Sequence, residues 1–290
     1  MKSLVVVETG PLATLQDLGR PGYAHLGVPR SGGADRGSLT LANRLVGNPE
    51  SAAVIEATLG RLKIRARGEL LIAVTGAHAT VRINGAAVGL SAVVRLPDDA
   101  ELTVDVPTWG LRNYVAVRGG IDVDPILGSR STDTLSGVGP APLDAGRELP
   151  IGRESGRWPA ATSAPINSTP ESVVVLEVTE GPRRAHVLDA DDLLRGLWEV
   201  SPDSNRVGVR LDRPDDASEA LVVHRDDVDE LASEGMPHGA IQIPPSGRPV
   251  LFLADHPVTG GYPVVAVLTP ESLDRAGQLV AGSRVRLRPR

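Results

Sequence analysis

Gly239-Ala240-Ile241-Gln242-Ile243-Pro244-Pro245-Ser246-Gly247, an apolar run from Pro249 to Ala254, then Asp255-His256-Pro257-Val258-Thr259-Gly260-Gly261-Tyr262-Pro263: this stretch reads as one strand between two loops rich in glycine and proline. Proline restricts a backbone and glycine frees it. A segment that only had to turn would not need Gln242, Asp255, Thr259 and Tyr262 gathered on such a backbone, so the loops read as a site.

Outward from this stretch, short β-branched runs outnumber helical patterns. Leu4 to Val7, Leu70 to Val74, Leu102 to Val106, Tyr114 to Val117, Val173 to Val178, Val207 to Leu211, Val250 to Leu253 and Val264 to Leu268 all have strand length and are bounded by turn residues. Arg284-Val285-Arg286-Leu287-Arg288 alternates with period two, which puts Val285 and Leu287 on one face and the arginines on the other. The chain is expected to be mostly β with a few short helices. Asp35 caps an expected helix from Arg36 to Val46, with Leu39, Ala42 and Val46 on one stripe and Gly47 as the stop. Thr269-Pro270 opens a second helix that Gly282 closes, and Asp226 to Ala232 is expected as a third.

Ser155 to Ser172 is rich in Ser, Pro, Ala and Thr and lacks periodicity, which marks a linker. The expected organisation is an N-terminal β-rich domain over 1–154, a linker over 155–172 and a C-terminal domain over 173–290. Leu143-Asp144-Ala145-Gly146-Arg147-Glu148-Leu149 and Leu279-Val280-Ala281-Gly282-Ser283-Arg284-Val285 share a Leu-x-Ala-Gly-x-x-apolar pattern. That is either a faint repeat of two related halves or two strands entered through similar turns.

At 290 residues the chain is long enough for two cores. A net charge of −6, with one Phe, three Trp and three Tyr, argues against a nucleic-acid partner, which needs basic surface and stacking platforms. The absence of cysteine removes disulfides and thiolate catalysis. Met1 to Glu8 has too short an apolar run for a signal peptide, and no run approaches a membrane span, so a cytoplasmic location is expected. Asn167-Ser168-Thr169 matches a glycosylation acceptor, which has no use there.

Lys2 and Lys63 are the only lysines and neither follows a Gly-x-x-x-x-Gly, so there is no P-loop. No Gly-x-Ser-x-Gly nucleophile elbow occurs. The six histidines are scattered, with no i, i+4 pair beside a glutamate, and no metal site is expected from them.

Four polar, glycine-rich constellations remain. Gln16-Asp17-Leu18-Gly19-Arg20-Pro21-Gly22, continuing through Gly27-Val28-Pro29-Arg30-Ser31-Gly32-Gly33-Ala34-Asp35, leads to a helix N-terminus where backbone N–H groups can bind an anion, with Arg20 or Arg30 adding charge. It can equally be a long surface loop plus an N-cap. Arg118-Gly119-Gly120 with Gly128-Ser129-Arg130-Ser131-Thr132-Asp133 offers hydroxyls and charges to a polar ligand, or to turn backbone. Ser204-Asn205-Arg206-Val207-Gly208 aims Asn205 and Arg206 outward from a strand end, or simply caps the strand. The fourth is the opening stretch.

These residues resemble the allophanate hydrolase subunit 2 family, also called the biotin-dependent carboxyltransferase family, whose standalone members include the C subunit of ATP-dependent 5-oxoprolinase and KipA-like regulators. The resemblance rests on Gln16-Asp17-x-Gly19-Arg20-x-Gly22, Gly27-Val28 with Ser31-Gly32 and Asp35, Asn43 to Asn48, Glu56 to Leu59, Tyr114 to Gly120, Gly128-Ser129-x-Ser131-Thr132-Asp133, Ser204 to Gly208, Gly239-Ala240-Ile241-Gln242-x-Pro244-Pro245 and Thr259 to Pro263. The motifs fall in order from one end of the chain to the other. Pro257 and Val258 stand where the family pattern leads one to expect glutamine and threonine, and Gly60-Arg61 stands in place of Gly-Pro.

The resemblance implies two β-barrel-like, cyclophilin-like units. It implies an enzyme subunit of the 5-oxoprolinase type, which opens 5-oxoproline to glutamate with ATP and Mg²⁺ shared with a partner. It also implies an allophanate hydrolase subunit 1-like (KipI-like) partner and a LamB/YcsF-type subunit. Alternatives are a carboxyltransferase subunit of a urea carboxylase or allophanate hydrolase-type system, and a non-enzymatic KipA-like regulator of a KipI-like kinase inhibitor. Met1 and Met236 are the only methionines and no internal Met-Lys-Met occurs, so no covalent biotin is expected on this chain.

Residue chemistry then assigns roles. Arg20 and Arg206 would hold phosphate or a substrate carboxylate. Gly260 and Gly261 would bring backbone N–H groups to a developing oxyanion. Asp17 or Asp255 would ligate Mg²⁺ or transfer a proton, and Gln242 and Tyr262 would orient the substrate. Ser31, Asp35, Asn205 and Thr259 complete the expected binding set.

Overall fold

The computed structural model describes residues 2–154, 158–159, 161–166, 171–228 and 230–290. The chain is mostly β and divides into two compact units. The first comprises Met1–Arg20, Ser31–Asp133 and Gly137–Pro170, and the second comprises Pro21–Arg30, Thr134–Ser136 and Glu171–Arg290.

The first unit holds β1 (Ser3–Glu8), β2 (Leu12–Gln16), α1 (Arg36–Leu45), β3 (Val54–Thr58), β4 (Leu62–Arg67), β5 (Leu70–His78), β6 (Val81–Ile83), β7 (Ala86–Val88), β8 (Val93–Leu96), β9 (Glu101–Val104), β10 (Trp109–Val117) and β11 (Glu148–Pro150). They form a six-stranded sheet ordered β11-β1-β4-β9-β6-β7 and a five-stranded sheet ordered β2-β3-β10-β5-β8. Alternation along β10 explains the layering. Val115 and Val117 join the main core with Leu4, Leu15, Ile64 and Ile72, while Tyr114 and Ala116 face Leu39, Ala42 and Leu45 of α1. The helix forms as expected, with Asp35 at its N-cap accepting from Ser38 N at 2.8 Å and Gly47 beyond its end at φ 70°.

The second unit holds β12 (Val174–Glu180), β13 (Trp198–Val200), β14 (Gly208–Asp212), β15 (Glu234–Gly235), β16 (Ala240–Gln242), β17 (Val250–Phe252), β18 (Thr259–Gly260), β19 (Val264–Leu268), α2 (Pro270–Ala276) and β20 (Arg284–Pro289). Seven strands close a barrel in the order β12-β19-β16-β17-β14-β13-β20, shut by the parallel pair of β20 with β12. The barrel is filled by Leu176, Trp198, Leu211, Ile241, Leu251, Val285, Leu287 and their neighbours. β15 and β18 form a separate two-stranded ribbon. Val285 and Leu287 are buried and Arg286 and Arg288 exposed, as the period-two pattern predicts.

Three expectations are corrected. Asp226 to Ala232 forms no helix among its described residues, because Asp226, Asp227 and Glu230 repel one another and Val228 alone supplies an apolar side chain in the middle of the segment. The helix after Thr269 ends at Ala276, and Gly282 at φ 81° instead makes the turn into β20. Arg206 does not point outward: it is 2 % exposed. Of the expected linker, 155–157, 160 and 167–170, with the Asn167-Ser168-Thr169 sequon, lie outside the described residues. Within its described part, Val93 N donates to Thr162 O at 2.8 Å and Ala164 N to Ser91 O at 2.8 Å, so this piece runs along β8. No helix among the described residues is long and apolar enough to cross a membrane.

The Leu-x-Ala-Gly pattern builds the same turn twice. Gly146 N donates to Val6 O at 2.8 Å and Val6 N to Arg147 O at 2.9 Å; in the second unit Gly282 N donates to Val200 O at 2.8 Å and Val200 N to Ser283 O at 3.0 Å.

Candidate functional site

In the second unit, the loop after β17 begins with Asp255, which has no exposed surface. Arg206 reaches it from the turn before β14, with Nε donating to Oδ2 at 2.9 Å and Nη2 to Oδ1 at 3.0 Å. This is the side-on fork that guanidinium and carboxylate geometry favours. Thr134 adds its backbone N at 2.9 Å and its hydroxyl at 2.7 Å, both to Oδ2. Asp255 N returns a bond to Arg206 O at 3.2 Å. The pair therefore fixes where the loop leaves the barrel, and two buried charges satisfied in this way hold one geometry.

His256 follows, 5 % exposed, with Nδ1 2.8 Å from Pro257 O and its ring stacked on His238 at 5.6 Å between centroids. Val258 O accepts from Met236 N at 2.9 Å. Pro257 and Val258, the departures from the family pattern, thus act here through their carbonyls.

Gln242 on β16 is buried and donates from Nε2 to Tyr262 O at 2.9 Å and to Met236 Sδ at 3.1 Å. A Cβ on Gly260 would lie 2.6 Å from that nitrogen and 3.0 Å from the sulfur, so only glycine fits between the ribbon and the barrel. Thr259, Gly261 and Tyr262 are exposed, Tyr262 at 47 %. The arrangement is a buried polar frame (Arg206, Asp255, Gln242) beneath an exposed loop of hydroxyls and backbone. Asn205 caps the turn, with Oδ1 accepting from Val207 N at 2.8 Å.

The first unit arranges its predicted residues inward. Asp17 Oδ1 accepts from Gly19 N at 2.8 Å and from the Ser129 and Ser131 hydroxyls at 2.6 Å each, and its Oδ2 accepts from Arg130 N at 2.6 Å. Arg20, 1 % exposed, donates to Ser31 Oγ at 2.9 Å and to Ser131 O, while Ser31 Oγ donates to Asp133 Oδ2 at 2.6 Å. The helix N-terminus read as an anion site is occupied by protein groups: Ala34 N donates to Glu56 Oε2 at 3.0 Å and Asp35 N to the Tyr114 hydroxyl at 2.8 Å. Burial, then the Glu56 and Asp35 carboxylates, raises the Tyr114 hydroxyl well above its ordinary range. These residues hold loops together.

Asp17, Arg20, Ser31 and Asp35 thus belong to the first unit, and Asn205, Arg206, Gln242, Asp255, Thr259, Gly260, Gly261 and Tyr262 to the second. Sequence reasoning missed Thr134, Met236 and Glu234 as supports of the second group. The signal that could have flagged Met236 is its position six residues before Gln242, next to the loop. No group of three or more His, Asp or Glu among the described residues could hold a metal.

Comparison with known proteins agrees with the motif resemblance. The chain is 32% identical over 295 residues to the C subunit of the 5-oxoprolinase of Escherichia coli (strain K12), covering 97% of this chain and 89% of that one. It is 31% identical over 310 residues to the urea amidolyase of Lachancea kluyveri, covering 98% of this chain and 17% of that one. The crystal structure of TTHA0988 superposes with a TM-score of 0.87 at 32% identity, over 99% of this chain and 55% of that one. Residues 26–289 match the family described as carboxyltransferase domain, subdomain A and B. The chain belongs to that carboxyltransferase family.

Proposed function

We propose that this chain is the C-type subunit of an ATP-dependent 5-oxoprolinase, opening the lactam of 5-oxoproline to glutamate. It would act in the cytoplasm with an allophanate hydrolase subunit 1-like (KipI-like) chain and a LamB/YcsF-type chain. The observation that carries this reading is the match running through nearly the whole of a subunit named for that activity. An unstrained lactam opens slowly and against equilibrium, which is the use such a complex has for ATP.

The residues of this chain do not by themselves fit an ATP–Mg²⁺ site. Arg206 is forked onto Asp255, Arg20 is turned into its own loop cluster, and the carboxylate of Asp17 closes a turn. Nucleotide binding is accordingly assigned to the partner side of the complex. This chain's part would be the exposed loop: the Thr259 and Tyr262 hydroxyls hydrogen-bond the substrate's carboxylate and carbonyl, and the backbone at Gly261 approaches it closely. Gln242, Asp255 and Arg206 hold that loop still, so that the donors are in place before charge develops. In the first unit, Asp17, Arg20, Ser31 and Asp35 fix loops.

A second reading, carboxyl transfer, is favoured by the family itself and by the urea amidolyase relatives. One experiment separates the two. The chain is combined with its subunit 1-like and LamB/YcsF-like partners, and glutamate formed from 5-oxoproline with ATP is measured with each chain omitted in turn. Glutamate that requires this chain is expected. A well-formed complex that makes none, yet carboxylates urea from a biotinylated carrier, would establish the second reading.

A further inference from the structure

Residues 231–236 run beside the candidate loop with little core of their own: among them only Met236 is buried. Yet they set the loop's surroundings. Glu234 and Gly235 pair with Gly260 and Thr259, and a Cβ on Gly261 would meet Leu231 O at 3.7 Å and Ser233 Oγ at 4.0 Å. A segment that buries so little apolar surface is readily displaced unless something else fastens it.

Met236 anchors the end of the segment, its N donating to Val258 O at 2.9 Å, and Arg183 fastens its middle. The Arg183 backbone N donates to Val264 O at 3.0 Å, which ties the arginine to the start of β19. Its guanidinium forks onto Glu234, with Nε at 3.0 Å from Oε2 and 3.2 Å from Oε1, and Nη2 at 2.7 Å from Oε2. The Arg183 hydrogen bonds, and to a lesser degree the nearby His186 ring, hold the Glu234 carboxyl below its ordinary range.

We infer that the Arg183–Glu234 fork is a latch that positions residues 231–236 along Thr259–Tyr262 and thereby sets how well the proposed lactam site holds its substrate. The inference rests on reading Thr259–Tyr262 as the site loop. Arg183 and Glu234 are positioning residues: they act through the ribbon. Both side chains are partly exposed, at 39% and 24%, so the pair adds little to global stability. It can still decide which loop arrangement is populated, because the ribbon it holds is only two residue pairs long.

The test uses the assembled complex. E234Q keeps the shape and drops the charge, R183K keeps the charge and drops the fork, and R183E/E234R restores a pair with reversed sign. E234Q and R183K are each expected to raise KM for 5-oxoproline about three- to tenfold, with kcat within about twofold, the worth of a well-formed exposed pair expressed in binding. The swap recovers most of the loss, and salt raises the wild-type KM toward that of E234Q while leaving E234Q flat. Unchanged KM in both single variants, or a swap worse than either, overturns the latch. Tyr262→Phe in the same assay separates the two ideas, because it removes a hydroxyl proposed to contact the substrate and leaves the pairing of Glu234 with Gly260 in place. If Y262F turns over like wild type, the loop is not the site and the inference falls with that reading. If Y262F is crippled while E234Q and R183K are unaffected, the loop stands and the latch alone is wrong.

Discussion

The two units make one turn in the same way and then use it differently. Gly146 and Gly282 take left-handed φ values of 87° and 81°, and each turn exchanges two backbone bonds with a single residue, Val6 or Val200. In the first unit the turn feeds β11, which lies at the edge of an open six-stranded sheet. In the second it feeds β20, which pairs with both β12 and β13 and closes the barrel. A turn is written in a few neighbouring residues, whereas sheet closure depends on which distant strands bury the next apolar face.

The buried arginines show a parallel contrast. Arg20 sits among hydroxyl and carbonyl oxygens of its own loops, while Arg206 is forked onto a carboxylate that has no exposed surface. The first unit turns its polar cluster inward. The second leaves an exposed loop above its own cluster, and that loop is where we place the proposed site.

The largest expected effect is Asp255→Ala, which removes the carboxylate from the buried Arg206 fork and should cost about 3–5 kcal/mol, read as a lowered urea midpoint. An R206M/D255L pair should recover most of that loss, because both members of the fork are then removed together. Equal losses in the single and double variants would mean that the fork is not what holds the second unit. Arg20→Met comes next, at about 2–3 kcal/mol, since the charged hydrogen bonds to Ser31 Oγ and Ser131 O are lost. A loss as large as that of D255A would erase the contrast between the arginines.

Gly146→Ala and Gly282→Ala should each cost about 1–2 kcal/mol, because neither added Cβ meets an atom within 4 Å and only the left-handed backbone is strained. Matching costs in the two melts support one turn built twice, and a cost at only one site breaks the equivalence. The smallest effect at neutral pH is the titration of Tyr114. Its folded value is raised, so its contribution is complete below the unfolded value of about 10 and is lost as pH climbs beyond that. Urea midpoints between about pH 8 and about pH 11 should fall more steeply for wild type than for Y114F.

Much of the fold was legible from local pattern. The β-branched runs at Val264 to Leu268 and Leu70 to Val74 became strands, and Asp35 and Gly47 bounded a real helix. Leu12–Gln16, Val54–Thr58 and Leu62–Arg67 were not legible, since they mix Thr, Glu, Lys and Arg with aliphatics, and only pairing decides them. Glu56, for instance, is tolerated at 1 % exposure on β3 because Arg112 lies 3.4 Å from it.

At the site, sequence alone determined which residues matter to the loops: glycine at 260, polar groups at 206, 242 and 255, and a family to place them in. Those choices are local, set by backbone freedom and residue chemistry. Tertiary structure decided their use. It paired Arg206 with Asp255 across 49 positions and brought in Thr134 from 121 positions away. It buried both charges, left Thr259 and Tyr262 at the surface, and hung the loop from Gln242. Burial and long-range pairing exist only once the strands have closed, because the free energy of a charge or an amide depends on what surrounds it in space, not on what precedes it in the chain.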